Sequence, residues 1–187
     1  MNVTQKTRVL VILAEGFEEV EALTPIDILR RAGVTVVIAG VGGVSITGSH
    51  GIQVVCDGEI TKCGTDFQGV VIPGGSVGSR NLASSWAVNE KILLIASSGA
   101  VIAAICAAPA VVLWPSGLLE GHKAVCYPGL EAECPGFTFG EERVCVDGNL
   151  ITARAAGCSL EFSLALVEKL VGFSERQRIA KAILFQA

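Results

Sequence analysis

The chain has 187 residues, of which 51% are hydrophobic and 17% charged, and its formal charge is −4 with no basic block. That composition supplies the core of one domain spanning residues 1–187 and argues against disorder or a dedicated nucleic-acid surface. The apolar run Val9–Ala14 is too short for a membrane span or a signal-peptide core and is followed at once by acid. No membrane association is therefore expected. Seven scattered cysteines, with no Cys-x-x-Cys pair and no export signal, point to reduced thiols in a cytoplasmic setting. Neither His50 nor His122 sits at metal-ligand spacing from a cysteine, so no metal site is expected.

In chain order, Arg8–Ala14 reads as a buried strand. Glu15-Gly16-Phe17 then turns the chain into a helix rich in early acid (Glu18, Glu19, Glu21), which the helix dipole favours. This helix should end at Ala32-Gly33, with Pro25 kinking or breaking it. Val34–Gly40 is a second buried strand. Ile46–Asp57 alternates as two half-exposed edge segments around Ser49-His50-Gly51. Phe67–Ile72 is another buried strand, ending in Pro73-Gly74-Gly75-Ser76, where the glycine pair lets the backbone approach a ligand. A helix is expected over Asn81–Ser97 with Leu82, Trp86, Ile92, Leu93 and Ile95 inward.

The run Ala100–Ile105 is wholly apolar, as a central strand covered on both faces should be, and Cys106 follows it directly. The alanine-rich stretch beyond, with Pro109 near its start, reads as a helix ending before Pro115. A nucleophile between strand and helix is the logic of the nucleophile elbow, here with small alanines keeping the turn tight. Lys123–Tyr127 is expected as a strand leading into Tyr127-Pro128-Gly129. Val144–Val146 and Leu150–Thr152 form a hairpin about Asp147-Gly148. Helices follow over Ser159–Val171, capped by Gly172, and from Ser174-x-x-Gln177, a capping-box pattern.

Strands alternating with helices, several of them apolar throughout, predict an α/β fold with a mostly parallel sheet covered by helices on both faces. The loops at Glu15–Glu21, Pro73–Ser76, Cys106–Ala107 and Tyr127–Gly129 all follow strands, on the side where such sheets bind ligands. Cys106 is the candidate nucleophile. A buried Glu21 carboxyl against it would be neutral, would donate to a thiolate and would shuttle protons. The amides of Gly75 and Ala107 are candidates for an oxyanion hole.

The stretches Val-Ile-Leu-Ala-Glu-Gly-Phe-Glu-Glu-Val-Glu (11–21), Arg-Arg-Ala-Gly (30–33) and Val-Ile-Pro-Gly-Gly (71–75) resemble the DJ-1 family of the DJ-1/ThiJ/PfpI superfamily. So do Ala-Ala-Ile-Cys-Ala-Ala-Pro (103–109) and Ile-Thr-Ala-Arg-Ala-Ala-Gly (151–157). The resemblance covers nearly the whole chain and implies a flavodoxin-like three-layer sandwich and a homodimer. It assigns the family cysteine to Cys106 and its protonated partner to Glu21. It implies cofactor-independent chemistry on a small carbonyl substrate or a glycated adduct, of the glyoxalase or deglycase kind, with oxidative-stress sensing and chaperone roles also described for members.

Gly74, Tyr127, His50 and Arg154 are the candidate substrate-binding residues. Tyr127 stands where many relatives have histidine, and a phenol is a poor base at neutral pH. His50 stands where many have arginine, and the Arg-Gly-Pro-Gly of relatives reads Arg154-Ala155-Ala156-Gly157. Protease-like branches place a histidine directly after the nucleophile; Ala107 takes that position here and argues against an amidase or protease. A redox sensor or redox-regulated chaperone is the alternative reading.

Overall fold

The computed structural model describes residues 6–186. β1 (Arg8–Leu13) leads to α1 (Glu19–Arg31) and β2 (Thr35–Gly40). The short strands β3 (Ser45–Thr47), β4 (Gln53–Val55) and β5 (Gly58–Glu59) come next, then β6 (Gly69–Ile72). α2 (Ser76–Ser84) and α3 (Trp86–Ser97) precede β7 (Val101–Ile105). The chain closes with β8 (Val144–Asp147), β9 (Leu150–Ala153), α4 (Ser159–Leu170) and α5 (Phe173–Ala182).

The seven-stranded sheet has the order β5-β2-β1-β6-β7-β9-β8, parallel except for the β8–β9 hairpin at its edge. Its five principal parallel strands, β2-β1-β6-β7-β9, are in the doubly wound flavodoxin-like order, with the switch point between β1 and β6. The continuous apolar strands follow from burial on both faces. Val9, Val11, Ala103 and Ile105 point into the core under α1 and α4; Leu10, Ile12, Ile102 and Ala104 point into the core under α3. All eight of these side chains are buried. β3 and β4 form a separate antiparallel ribbon, so the paired segments expected at Ile46–Asp57 stand off the sheet.

Several local expectations are corrected. α1 passes Pro25 unbroken. The proline removes one hydrogen bond, the one that the carbonyl of Glu21 would accept, and burial of Ala22, Ile26 and Leu29 holds the helix around it. The single helix expected over 81–97 is two, because Ser85 leaves helical geometry and its side chain accepts from the Val88 amide as the cap of α3. Trp86 and Leu93 face outward, leaving Leu82, Ile92 and Ile95 buried. Lys123–Tyr127 is not a ladder strand. Its amides bond instead to Asp147 Oδ2 from Lys123, to Thr152 Oγ1 from Val125 and to the Cys106 carbonyl from Tyr127. α5 starts at Phe173 behind Gly172, so Ser174 lies inside the first turn and makes no cap.

Candidate active site

The site lies at the switch point, where the carboxyl ends of β1, β6 and β7 meet. After β1 the loop carrying buried Phe17 folds over the loop after β6: Glu18 N–H donates to the Gly74 carbonyl (3.1 Å) and Gly78 N–H to that of Gly16 (3.0 Å). This contact is why glycines follow β6. A Cβ on Gly75, whose φ is +92°, would lie 2.4 Å from the Gly16 oxygen, and one on Gly74 would lie 2.6 Å from Cys106 Cβ.

Cys106 ends β7 with φ +64°, the left-handed region that costs a side-chain-bearing residue about 1–2 kcal/mol. Its backbone is held from both sides: its N–H donates to Ala153 O (2.9 Å) and its carbonyl accepts from Tyr127 N–H (2.8 Å). The elbow is therefore present, but the helix expected after it is a single π-helical turn over Pro109–Leu113, which Pro115 prevents from propagating. So short a turn carries little dipole. The donors that favour a Cys106 thiolate are the individual amides of Gly75 and Ala107.

Glu21, in the first turn of α1, is 1% exposed. Gly74 N–H donates to its Oε2 (2.9 Å), and the carboxyl shares a hydrogen bond with the Cys106 thiol. Oε1 is buried with no hydrogen-bond partner among the described residues. Burial therefore pushes Glu21 up to about 7, against the pull of Cys106 and the Gly74 amide, with Glu18 adding a smaller upward push. Burial, then the charge of Glu21 and its hydrogen bond, push the Cys106 thiol up to about 12, while the Gly75 and Ala107 amides pull it down. Burial thus outweighs the two amides at the resting thiol. Two negative charges cannot sit side by side in this site, so the pair retains at least one proton at neutral pH. With a proton on Glu21 the repulsion from its carboxyl vanishes, and the Gly75 and Ala107 amides remain as donors to the thiolate.

Two residues before Glu21, Glu19 behaves in the opposite way. It is 3% exposed, yet Oε1 accepts from the His50 and Ile52 amides (2.7 and 3.3 Å) and Oε2 from His50 Nδ1 (2.9 Å) and Ser49 Oγ (3.2 Å). Burial would raise its pKa, but these bonds, with its own backbone amide, bring it down to about 2. Glu19 fastens the tip of the β3–β4 ribbon to the head of α1.

Above Cys106 opens a cleft of about 330 Å³ whose walls include Gly75, Ala107, Tyr127 and Glu18, together with Ser76, Arg80, Val111 and Leu130. Cys106, Glu21, Gly74, Gly75 and Ala107 are thus brought together, and Tyr127, about half exposed, lines the same cleft. His50 and Arg154 are not among the lining residues. His50 is held by Glu19 through both its ring and its amide; Arg154 donates from Nη1 to the Glu141 carbonyl. Arg80, Val111 and Leu130 carried no motif, and Ser76 entered only as the end of the Pro73–Ser76 loop; the spacing of Ser76 and Arg80 on α2 puts both on one face. Glu18, Glu19 and His50 form a group whose potential metal-ligand atoms lie within 4.8 Å of one another, but the oxygens of Glu19 are already occupied by the ribbon. Among the described residues no helix is long and apolar enough to cross a membrane.

A sequence model of the DJ-1/PfpI family matches residues 7–169. The chain is 40% identical over 181 residues to Protein DJ-1 homolog B of Arabidopsis thaliana, covering 95% of this chain but 41% of that protein. It therefore spans about two fifths of that relative's length. A relative from Pyrococcus abyssi, named Deglycase PYRAB04690, is 33% identical over 157 residues, 80% of this chain and 91% of the relative. Oxidized DJ-1 of Toxoplasma gondii superposes with a TM-score of 0.93 at 38% identity, covering 97% of this chain and all of that one.

Proposed function

The chain belongs to the DJ-1/PfpI family, and on that premise we propose that it is a cofactor-independent cysteine enzyme acting on 2-oxoaldehydes or their adducts. The carrying observation is the geometry: a buried Glu21 carboxyl set against an elbow Cys106 that lies under the amides of Gly75 and Ala107. The Cys106 thiolate attacks the aldehyde carbon, and the oxygen is protonated to give a hemithioacetal. Glu21 in its carboxylate form takes the proton from that carbon and returns one to the neighbouring carbon, converting the ketone to an alcohol and the hemithioacetal to a thioester. Water then cleaves the thioester, releasing a 2-hydroxy acid and the thiol, so the aldehyde and one water become the acid with no external oxidant or reductant. The Gly75 and Ala107 amides face the reacting centre as candidate oxyanion donors.

Tyr127 can donate to a substrate carbonyl but is no base near neutral pH, which leaves Glu21 as the side-chain proton shuttle. The same attack on a glycated amine or thiol would be deglycase chemistry, the activity named for the archaeal relative. Cys106→Ser should abolish methylglyoxal consumption and the formation of optically active lactate. Retention of either would refute the assignment.

A second reading draws on the same geometry. Cys106 is partly exposed while five of the other six thiols are buried, and a sulfinate there would accept from Glu21 and the two amides. We also read the protein as a cytoplasmic homodimer. Val20 and Leu23 on α1 and Ile52 and Val55 on the ribbon are exposed apolar side chains that a second copy would cover. Light scattering at micromolar concentration should give twice the 19.4 kDa chain mass, and a monomer mass would contradict this.

A further inference from the structure

Among the described residues lining the Cys106 cleft, Arg80 is the one cation. It stands one helical turn after Ser76, so both project from the same face of α2. Its Nη2 donates to Glu133 Oε1 at 3.1 Å, bridging α2 and the turn that follows Leu130. The two side chains are 61% and 40% exposed, a range in which an ion pair contributes about 0–1 kcal/mol. Exchanging the Glu133 carboxylate for a ligand's carboxylate therefore costs little. The other charged side chain lining the cleft is acidic, Glu18, and the Cys106 thiolate that reacts there is negative as well. An anion entering this cleft would be repelled unless a cation received it.

We propose that Arg80 is the specificity-determining residue of the cleft, receiving the carboxylate of an anionic carbonyl substrate in exchange for Glu133. The substrate class is then a small 2-oxoaldehyde bearing a carboxylate at the end remote from the aldehyde. This rests on the reading of Cys106 as the reactive thiol.

Iodoacetate and iodoacetamide test the charge preference without turnover. In both, the Cys106 sulfur forms a bond to the CH2 carbon and iodide leaves with the electron pair; the reagents differ chiefly in charge. The ratio of their labelling rates at Cys106, read by peptide mass spectrometry, should fall about threefold to tenfold in Arg80→Gln and rise in Glu133→Gln. Arg31→Gln makes the same change in net charge at a pair with Asp27 on the far end of α1, and should leave the ratio where it is. An unchanged ratio in Arg80→Gln, including an equal loss for both reagents, overturns the role of Arg80 while leaving Cys106 reactive. An equal fall in Arg31→Gln also overturns it, since net charge alone would then suffice. Failure of both reagents to label Cys106 overturns the reactive-thiol reading and this inference with it.

Discussion

Glu19 and Glu21 are two residues apart in the first turn of one helix, yet their carboxyls are driven in opposite directions. Glu19 accepts from two ribbon amides, a histidine ring and a serine hydroxyl and is held at about 2. Glu21 accepts one amide bond, faces a thiol and is raised to about 7. Both side chains are shielded from solvent, but Glu21 lies deeper and meets fewer donors, and depth and donors together decide the charge state. One carboxylate ties two parts of the fold together; the other is left poised to move a proton.

The largest break in this contrast should come from Glu21→Gln. Glutamine keeps a hydrogen-bond donor toward Cys106 but cannot shuttle a proton, so 2-oxoaldehyde turnover should fall about 10²–10⁴-fold. Cys106 alkylation should persist. Turnover at the wild-type rate would remove Glu21 from the mechanism.

A second effect is on stability. The folded-state pKa of Glu21 lies above its ordinary value, so its neutral form stabilises the fold fully below pH 4.5, and that contribution is lost as pH rises through about 7. The shift from 4.5 to about 7 corresponds to on the order of 3 kcal/mol. The difference in urea-unfolding free energy between wild type and Glu21→Gln should therefore move against wild type across that window. A pH-independent difference would mean that Glu21 is not the buried acid.

The smallest effect sharpens the other half of the comparison. Glu19→Ala should cost about 2 kcal/mol of unfolding free energy by removing a charged acceptor from the ribbon tip. Because the folded pKa of Glu19 lies below its ordinary value, its contribution is present above pH 4.5 and fades as pH falls through about 2. The iodoacetamide labelling rate at Cys106 should stay close to wild type in this variant. A labelling loss as large as the one expected for turnover in Glu21→Gln would show that the two carboxylates share one role.

What the residues determined by themselves was whatever local pattern encodes. Uninterrupted apolar runs at Val9–Leu13, Val70–Ile72 and Val101–Ile105 dictate strands covered on both faces. A cysteine between a central strand and small alanines dictates a tight elbow, and Asp147-Gly148 a hairpin. Acid at 18, 19 and 21 says only that a helix begins there, because the dipole attracts all three alike. Which acid is neutral, which fastens the ribbon and which lines the cleft was decided by tertiary packing, since each answer depends on partners 30 to 85 positions away: Ser49 and His50, Gly74, Cys106. His50 meets α1 outside the lining of the cleft, and Arg80 enters that lining, for the same reason. Side-chain destinations set by loops that cross between strands leave no periodicity in the chain, and only the assembled sheet brings their donors and acceptors within reach.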